Sequence, residues 1–427
     1  MIPISKDYKK HIFELHARNS AQDMSPIYQT LLEIRAEVLR CGDQALKKYS
    51  AKFDGIKINT FKIKTEKEEI KAAYNKVPKR YIEALERAKK NIEGYHLKQL
   101  PKDWYEQKKD GIEYGVQYKP IDSTGLYVPG GRAPYPSSVL MNAIPARIAG
   151  VKNITIATPP LADGGITPEI LVAANLCGVE NIVKVGGAQA VFALACGTES
   201  VPKVDKIVGP GNIYVTTAKQ MVYGQVDIDK PAGPSEALIY IQDPKYITYA
   251  AAELLAQLEH DPDSVATAIS ENENLLKEIQ SELRKQVQAC SRKEIIDQAI
   301  KNSMLFLVKD QNEAIDAINQ IASEHLVLMI DNPQSILKQI NHAGAIFLGP
   351  YTPVALGDYY GGTNHVLPTS GTARFASPLG VMDFMKYSSL LYYSKEQLQK
   401  AEEDLRILAL QESFDAHFNS VKLRLES

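Results

Sequence analysis

Four of the eight histidines in this 427-residue chain stand beside groups with which an imidazole could share chemistry. His260 lies in Ala256-Gln-Leu-Glu-His-Asp-Pro-Asp. Pro262 disfavours helical geometry at Asp261, so a helix running from about Tyr246 ends here. Gln257 and His260, three apart, share one of its faces. A histidine at a helix C-terminus is favoured by the helix dipole; the pair is equally a candidate ligand set, and both readings stay open. His325 follows Glu324 at the end of a helical stretch, Glu313–Ser323. Imidazole titrates near neutrality, and an adjacent carboxylate can orient it or do separate acid–base work. Neighbours on a helix diverge by about 100°, which suits two substrate atoms better than a dyad. The plainer alternative is an exposed Glu–His pair.

Asp358 and His365 lie in Leu356-Gly-Asp-Tyr-Tyr-Gly-Gly-Thr-Asn-His-Val-Leu-Pro-Thr. A long glycine-rich loop with a carboxylate, an amide and an imidazole is the richest site candidate, because functional groups collect on loops held by rigid elements. An Asp in such a loop can equally be a turn residue. His417, in Glu412-Ser-Phe-Asp-Ala-His, is five residues from Glu412 on what reads as one terminal helix, so the two do not share a face well. His11, His16 and His96, in charged helical surroundings, read as solvated surface residues, and His342, ahead of a strand, looks similar. Imidazole with carboxylate suits zinc, but no compact HExxH or CxxC joins these candidates.

Three glycine clusters add a second kind of candidate: Tyr127-Val-Pro-Gly-Gly-Arg, Val185-Gly-Gly-Ala-Gln and Val208-Gly-Pro-Gly-Asn. The second and third sit at strand-to-helix turns. There glycine lets backbone approach a ligand, and the helix N-terminus favours an anion. None is GxGxxG, and no acidic residue takes the usual ribose position, so simple tight turns and a phosphate-bearing ligand both remain open.

The elements that must position these residues differ along the chain. Residues 1 to about 120 are charged and read as mostly helical. Ser25-Pro26 predicts an N-cap and first helical residue, Thr65 with Glu68 a capping box, and Pro78 opens a helix that runs to Gly94. The middle alternates β-branched runs (at Ile154, Ile182, Lys206, Ala237, Val265, Leu305, Leu326 and Ala345) with helical stretches such as Pro168–Leu176, Ala188–Cys196 and Ile213–Val222. That alternation predicts parallel sheets with helices on their faces, two sheets rather than one very wide one. From about Ser377 the chain reads as helical again. Ser394 with Gln397 caps a long helix whose apolar positions (Leu398, Leu405, Leu408, Phe414, Val421) must pack on something, a second subunit for example.

Hydrophobic residues make up 44% and charged residues 23%, with net charge −2. This is a soluble globular balance that gives no reason to expect nucleic acid or an anionic membrane as partner. No apolar run approaches a membrane span, and Met1-Ile-Pro-Ile-Ser-Lys lacks a signal-peptide core. Cys41, Cys177, Cys196 and Cys290 lie far apart, which fits free thiols in a reducing cytoplasm.

Taken in order, the segments resemble the histidinol dehydrogenase family. The carriers are Tyr127-Val-Pro-Gly-Gly-Arg-Ala-Pro-Tyr-Pro-Ser-Ser, Gly186-Gly-Ala-Gln-Ala, Lys206-Ile-Val-Gly-Pro-Gly-Asn-Ile-Tyr-Val and Pro231-Ala-Gly-Pro-Ser-Glu. Gln257-Leu-Glu-His-Asp-Pro, Ser323-Glu-His-Leu, Gly357-Asp-Tyr through Asn364-His-Val-Leu-Pro-Thr, and Glu412 through His417 complete the set. The resemblance implies an α/β fold of two incomplete Rossmann-like parallel-sheet domains with small helical terminal segments. The divisions are an N-terminal arm over 1–23, a first α/β domain over 24–126 plus 236–380 with the zinc and catalytic residues, a second over 127–235 on the NAD side, and a C-terminal dimerisation segment over 381–427. It implies oxidation of L-histidinol through L-histidinal to L-histidine, the last step of histidine biosynthesis, with two NAD and one zinc ion per subunit.

By the same resemblance Gln257, His260, Asp358 and His417 are the zinc ligands, which also border substrate, and Glu324 and His325 are the acid–base pair. His325 also borders substrate, with Ser235, His365 and Glu412 as further contacts, while Tyr127, Gln189 and Asn212 contact NAD. The family's dimer is intertwined, with terminal-helix residues completing the partner's site. Leu258 stands where Ala is commoner, and Lys230 where an apolar residue is usual. A zinc hydrolase with the same ligands and a non-catalytic nucleotide-binding protein are the competing classes.

Overall fold

The β-branched runs of the middle of the chain become strands because buried parallel strands tolerate apolar residues on both faces. The computed structural model describes residues 2–13, 24–58, 61–108, 111–130, 135–230 and 233–426. His16, Gly131, Pro231 and residues 1 and 14–23 of the expected arm lie outside the described residues. Along the chain the strands are β1 (Ile4–Ser5), β2 (Trp104–Gln107), β3 (Ile112–Pro120), β4 (Ser123–Tyr127), β5 (Asn153–Ala157), β6 (Asn181–Val183) and β7 (Lys206–Val208). There follow β8 (Asp227–Ile228), β9 (Glu236–Ile241), β10 (Val265–Ser270), β11 (Met304–Leu307), β12 (His325–Met329), β13 (Ala345–Leu348) and β14 (Met385–Tyr393).

Two sheets are parallel throughout. One has the order β1-β11-β10-β9-β12-β13 and the other β6-β5-β4-β7-β8. In the first, the chain steps outward from β9 through β10 to β11, then returns to place β12 on the other side of β9. In the second, it steps from β4 to β6 and returns with β7 beside β4. Each sheet therefore has one point where strand order reverses, β9/β12 and β4/β7, and such points leave a crevice between diverging connections.

The six-stranded sheet is covered on one face by the helices Ile247–Leu258, Glu273–Gln286 and Lys293–Ala299. On its other face lie the helix Gln311–Ile321 and Tyr8. The five-stranded sheet has its own two cores.

Four expectations need correction. First, the helices between Ser25 and His96 pack on the five-stranded sheet, not on the six-stranded one with which residues 24–126 were grouped. Leu31, Ile34 and Leu46 share a core with Val183 and Phe192, and Ile70, Leu85 and Ile92 share one with Leu126 and Ile156. Their apolar stripes have no cue in sequence for which sheet they will cover. The arm, in turn, contributes β1 to the edge of the six-stranded sheet.

Second, residues 104–107, 112–120 and 385–393 are not helical. They form a three-stranded antiparallel sheet, β14-β3-β2. The alternation Tyr114, Val116, Tyr118 against Glu113, Gln117, Lys119 is the period-two signal of a half-buried strand. The tyrosine- and leucine-rich β14 pairs with it from far along the chain.

Third, the terminal helix is two helices, Lys395–Gln411 and Asp415–Glu426, interrupted at Ser413, whose φ is +63°. Ser394 caps the first of them as expected, accepting from Gln397 N–H. Fourth, two caps shift by one residue. Glu66 with Glu69, rather than Thr65 with Glu68, forms the capping box, and Met24 rather than Ser25 is the N-cap. The four cysteines are free, and among the described residues no helix is long and apolar enough to cross a membrane.

Candidate functional site

Glu324 and His325 enter the site from a strand, not from a helix end. The helix Gln311–Ile321 stops at Ala322, which takes the left-handed conformation at φ +52°, and His325 is the first residue of β12. Both side chains are buried and close to each other, with His325 Nδ1 3.4 Å from Glu324 Oε2. Both are gripped by Glu236, the first residue of β9. Its N–H donates to Glu324 Oε2 at 2.8 Å, and its carbonyl accepts from His325 Nδ1 at 3.0 Å. A carbonyl only accepts, so Nδ1 carries a proton and Nε2 is the site-facing nitrogen.

That Nε2 has no hydrogen-bond partner among the described residues and stands 3.8 Å from Asp358 Oδ1. Burial pushes the Glu324 carboxyl up to about 6, moderated by His325 and the Glu236 N–H. For His325, burial alone would lower the imidazole, but Glu324 and Asp358 together hold it up at about 9.

Asp358 belongs to the short helix Val354–Tyr359 rather than to the loop after it. Glu253 fixes that helix: its Oε2 accepts from Val354 N–H at 2.9 Å. Glu253 precedes Gln257 by one turn on the helix Ile247–Leu258, so one helix both carries Gln257 and anchors the element carrying Asp358. His260 follows two residues beyond the helix end, its N–H donating to Gln257 O.

The Gln257 side chain is buried, and its Nε2 has no hydrogen-bond partner among the described residues. Burial favours a neutral Asp358, but His325, His365 and His260 hold its carboxyl below its ordinary value. His365 is close on the loop side: Nδ1 donates to Asp358 O at 2.9 Å, and Nε2 lies 3.3 Å from Ser138 Oγ. Ser138 is on the helix Pro136–Ala149 of the five-stranded half, so this contact joins the two halves across the site.

The loop carrying His365 is seated by residues that sequence reading passed over. His96, expected on the surface, is fully buried. Its Nδ1 donates to Ile92 O at 2.8 Å, and its Nε2 lies 3.3 Å from Asn364 Nδ2. Asn364 Nδ2 also donates to Met141 O, and its Oδ1 accepts from Val366 N–H. A polar side chain satisfied on all sides can be buried without large cost. At Gly362, φ +101°, a Cβ would press on Asn91 O. His11 is half-buried, its ring edge-on to Phe306.

Ser235 adjoins Glu236, its carbonyl accepting from Val265 N–H. The structure thus brings Ser235, Gln257, His260, Glu324, His325, Asp358 and His365 to the amino ends of β9 and β12. It does not bring Glu412 and His417 there within one chain. Both are exposed, on opposite sides of the Ser413 break, and His417 stacks on Phe414. Among the described residues of one chain, no three His, Cys, Asp or Glu side chains group closely enough to hold a metal.

Tyr127, Gln189 and Asn212 gather at the carboxyl ends of the five-stranded sheet. Tyr127 ends β4, and its hydroxyl accepts from Gly187 N–H at 3.0 Å; burial pushes the phenol up to about 12. Gln189 is buried in the first turn of the helix Gly187–Cys196. Asn212 Oδ1 caps the helix Ile213–Val222 through Val215 N–H.

Gly209, φ +115°, passes so close to Tyr127 O that any Cβ would collide with it. A buried ion pair, Lys219–Asp229, locks this turn. Lys219 Nζ donates to Gly209 O at 2.9 Å, and Gly209 N–H donates to Asp229 Oδ2 at 2.8 Å. Neither charge was singled out from sequence; a Lys in a helix and an Asp after a strand carry no local mark of pairing. Lys230, beside them, is buried and donates to Ser377 O, which satisfies the ammonium where an apolar residue was expected.

The chain as a whole matches one family. The family model described as histidinol dehydrogenase matches residues 17–425. A histidinol dehydrogenase of Bacillus cereus is 46% identical over 99% of this chain and 99% of its own length. One of Clostridium acetobutylicum is 47% identical over 99% and 97%. The crystal structure of histidinol dehydrogenase from Elizabethkingia anophelis superposes with a TM-score of 0.92 at 35% identity, covering 100% of this chain and 98% of that one.

Proposed function

Because the chain belongs to the histidinol dehydrogenase family, we propose that it oxidises L-histidinol through L-histidinal to L-histidine, the last step of histidine biosynthesis, with two NAD and one zinc ion per subunit. The observation that carries this reading is the pair Glu324 and His325, both held by Glu236, with the free His325 Nε2 facing Asp358.

The donor set fits zinc. Imidazole and carboxylate are ligands that zinc takes, and the buried Gln257 amide, whose nitrogen has no hydrogen-bond partner among the described residues, would bind through its oxygen. Gln257, His260 and Asp358 would hold it, with the partner's His417 as fourth ligand. Bound there, zinc supplies a positive charge that holds the substrate's nitrogen and offsets the Asp358 carboxylate, which lets His325 return toward neutrality. For the cofactor, the amides at the starts of the helices Gly187–Cys196 and Ile213–Val222 favour an anionic diphosphate, with Tyr127, Gln189 and Asn212 as contacts. NAD supplies the hydride acceptor, one molecule for each oxidation.

The residues divide the proton work. An alcohol carbon gives up hydride only as its hydroxyl proton leaves, and His325 Nε2 takes that proton. Water then adds to the aldehyde, and Glu324, titrating near 6, deprotonates it. The hydrated aldehyde loses its second hydride from the same carbon, so Ser235 and His365 need not release the substrate between steps.

Glu412 and the ligand His417 act in the partner's site. They lie on helices that leave Ile407, Leu408, Phe414 and Leu423 exposed in a single chain, a patch that a homodimer would cover. The enzyme works in the cytoplasm.

The deciding experiment supplies histidinol and NAD and counts reduced cofactor per histidine. Two is expected. A hydrolase or a passive nucleotide binder would produce none. Chelation should abolish turnover and zinc restore it; full activity of metal-free protein would sink the zinc assignment.

A further inference from the structure

Glu236, half-buried, begins strand β9 where the chain arrives from the five-stranded sheet, and its carboxyl has no place in the proton transfers above. Its main chain holds Glu324 Oε2 and His325 Nδ1, as described. Its Oε1 also accepts from Ser370 N–H at 3.0 Å.

Ser370 and Gly371 both take left-handed conformations, φ +55° and +75°, in a tight turn closed by Thr372 N–H on Thr369 O. A left-handed serine is strained, so the turn needs outside anchors. One is Glu236; the other is Thr369 Oγ1, which accepts from Gly233 N–H at 2.6 Å. The turn continues the loop that carries His365.

We propose that Glu236 is a further positioning residue of the reaction: its main chain grips Glu324 and His325 while its carboxyl accepts from Ser370 N–H, which ties the segment of Glu324 and His325 to the Thr369–Gly371 turn and so holds the acid–base pair in register with His365. The anchor needs an acceptor oxygen at the right reach rather than a charge, since a main-chain N–H donates to a carboxylate, a carboxylic acid and a primary amide alike.

This inference rests on the acid–base reading of Glu324 and His325. The test compares E236Q and E236D, each measured with histidinol and with supplied histidinal. Gln keeps the acceptor oxygen at full reach without charge, so E236Q should stay within about threefold of wild type. Asp keeps the acid but is one carbon short of Ser370, so E236D should lose about 30-fold or more in kcat for both substrates. A displacement of an ångström can cost about 100-fold.

KM for NAD should stay unchanged in both variants, since the cofactor contacts lie on the other sheet. Wild-type kcat in E236D would overturn the proposal. A fall in E236Q as deep as in E236D would also overturn it, by showing that the charge is what matters. If H325A and E324Q were themselves fully active, the acid–base reading would fail instead, whatever the Glu236 variants do.

Discussion

The two parallel sheets each reverse strand order once, and the candidate residues use opposite ends of the two reversals. At β9/β12 they stand at the amino ends, where Glu236 and His325 begin their strands. At β4/β7 they stand at the carboxyl ends, where Tyr127 and Gly209 finish or follow theirs. The general expectation for open α/β sheets is the carboxyl end, and only the five-stranded sheet follows it.

Helix polarity supplies the reason. Carboxyl ends receive helix N-termini, whose free amides favour anions, and the Gly187 and Ile213 helix starts lie there. Amino ends receive helix C-termini, whose carbonyls favour cations, and the helix Ile247–Leu258 delivers Gln257 and His260 there. A diphosphate suits the first environment; a metal ion and a charged imidazole suit the second. In the amino-end region the candidate groups are side chains, several of them buried; in the carboxyl-end region they are set by backbone held in place.

Substitutions can break or sharpen that contrast. The largest effect should come from H325A, which removes a buried imidazole nitrogen that has no hydrogen-bond partner among the described residues. Histidinol oxidation should fall about 1000-fold, within the range for a lost general base, with KM for NAD unchanged. Turnover of E324Q on supplied histidinal should fall about 100-fold; equal aldehyde turnover in E324Q and wild type would remove Glu324 from the water step.

At the carboxyl-end site, K219M strands Asp229 as a buried, unpaired charge beside Gly209. Loss of one partner of a buried pair costs about 3–5 kcal/mol, read as a lowered Tm, and KM for NAD should rise about tenfold while KM for histidinol holds. If KM for histidinol rose instead, the separation of the two regions would be wrong.

The smallest effect contrasts two carboxyls that both sit near 6, Glu324 and Asp54. Burial raises Asp54 at the end of its helix, partly offset by Ser50, and its Oδ2 has no hydrogen-bond partner. A raised carboxyl binds its proton more tightly in the folded state. Its stabilisation is therefore complete below the unfolded value near 4, and lost as pH rises through about 6. D54N should raise stability at pH 8 by about 1 kcal/mol, the full shift being discounted for partial exposure, and leave it unchanged below pH 4. A gain of equal size at both pH values would argue for packing rather than charge.

Legibility in the sequence varied for physical reasons that particular residues show. The strands of the two parallel sheets were readable because buried strands are continuous apolar runs. Glu324 and His325 were read as helix-end neighbours because nothing local marks the left-handed Ala322 that ends the helix early. His96 looked exposed because its helix is charged, but its partners Ile92 O and Asn364 make burial cheap, and Asn364 lies on a distant loop. Glu253 had a usable signal, one turn before Gln257 on the same face.

The ordered motifs of the chain are enough to assign it to its family, and its periodicities are enough to specify two parallel sheets. Those properties are local, since a helical or strand period and a glycine at a turn depend on neighbours within a few residues. Convergence is not local. That Glu236, Glu324 and His325 interlock, that Ser138 reaches His365 across the two halves, and that Lys219 pairs with Asp229 under Gly209 depend on which faces pack together. Burial then sets the charge states, because the same carboxyl that titrates near 4 in water is held near 6 or 8 once water is excluded and a second carboxyl stands beside it.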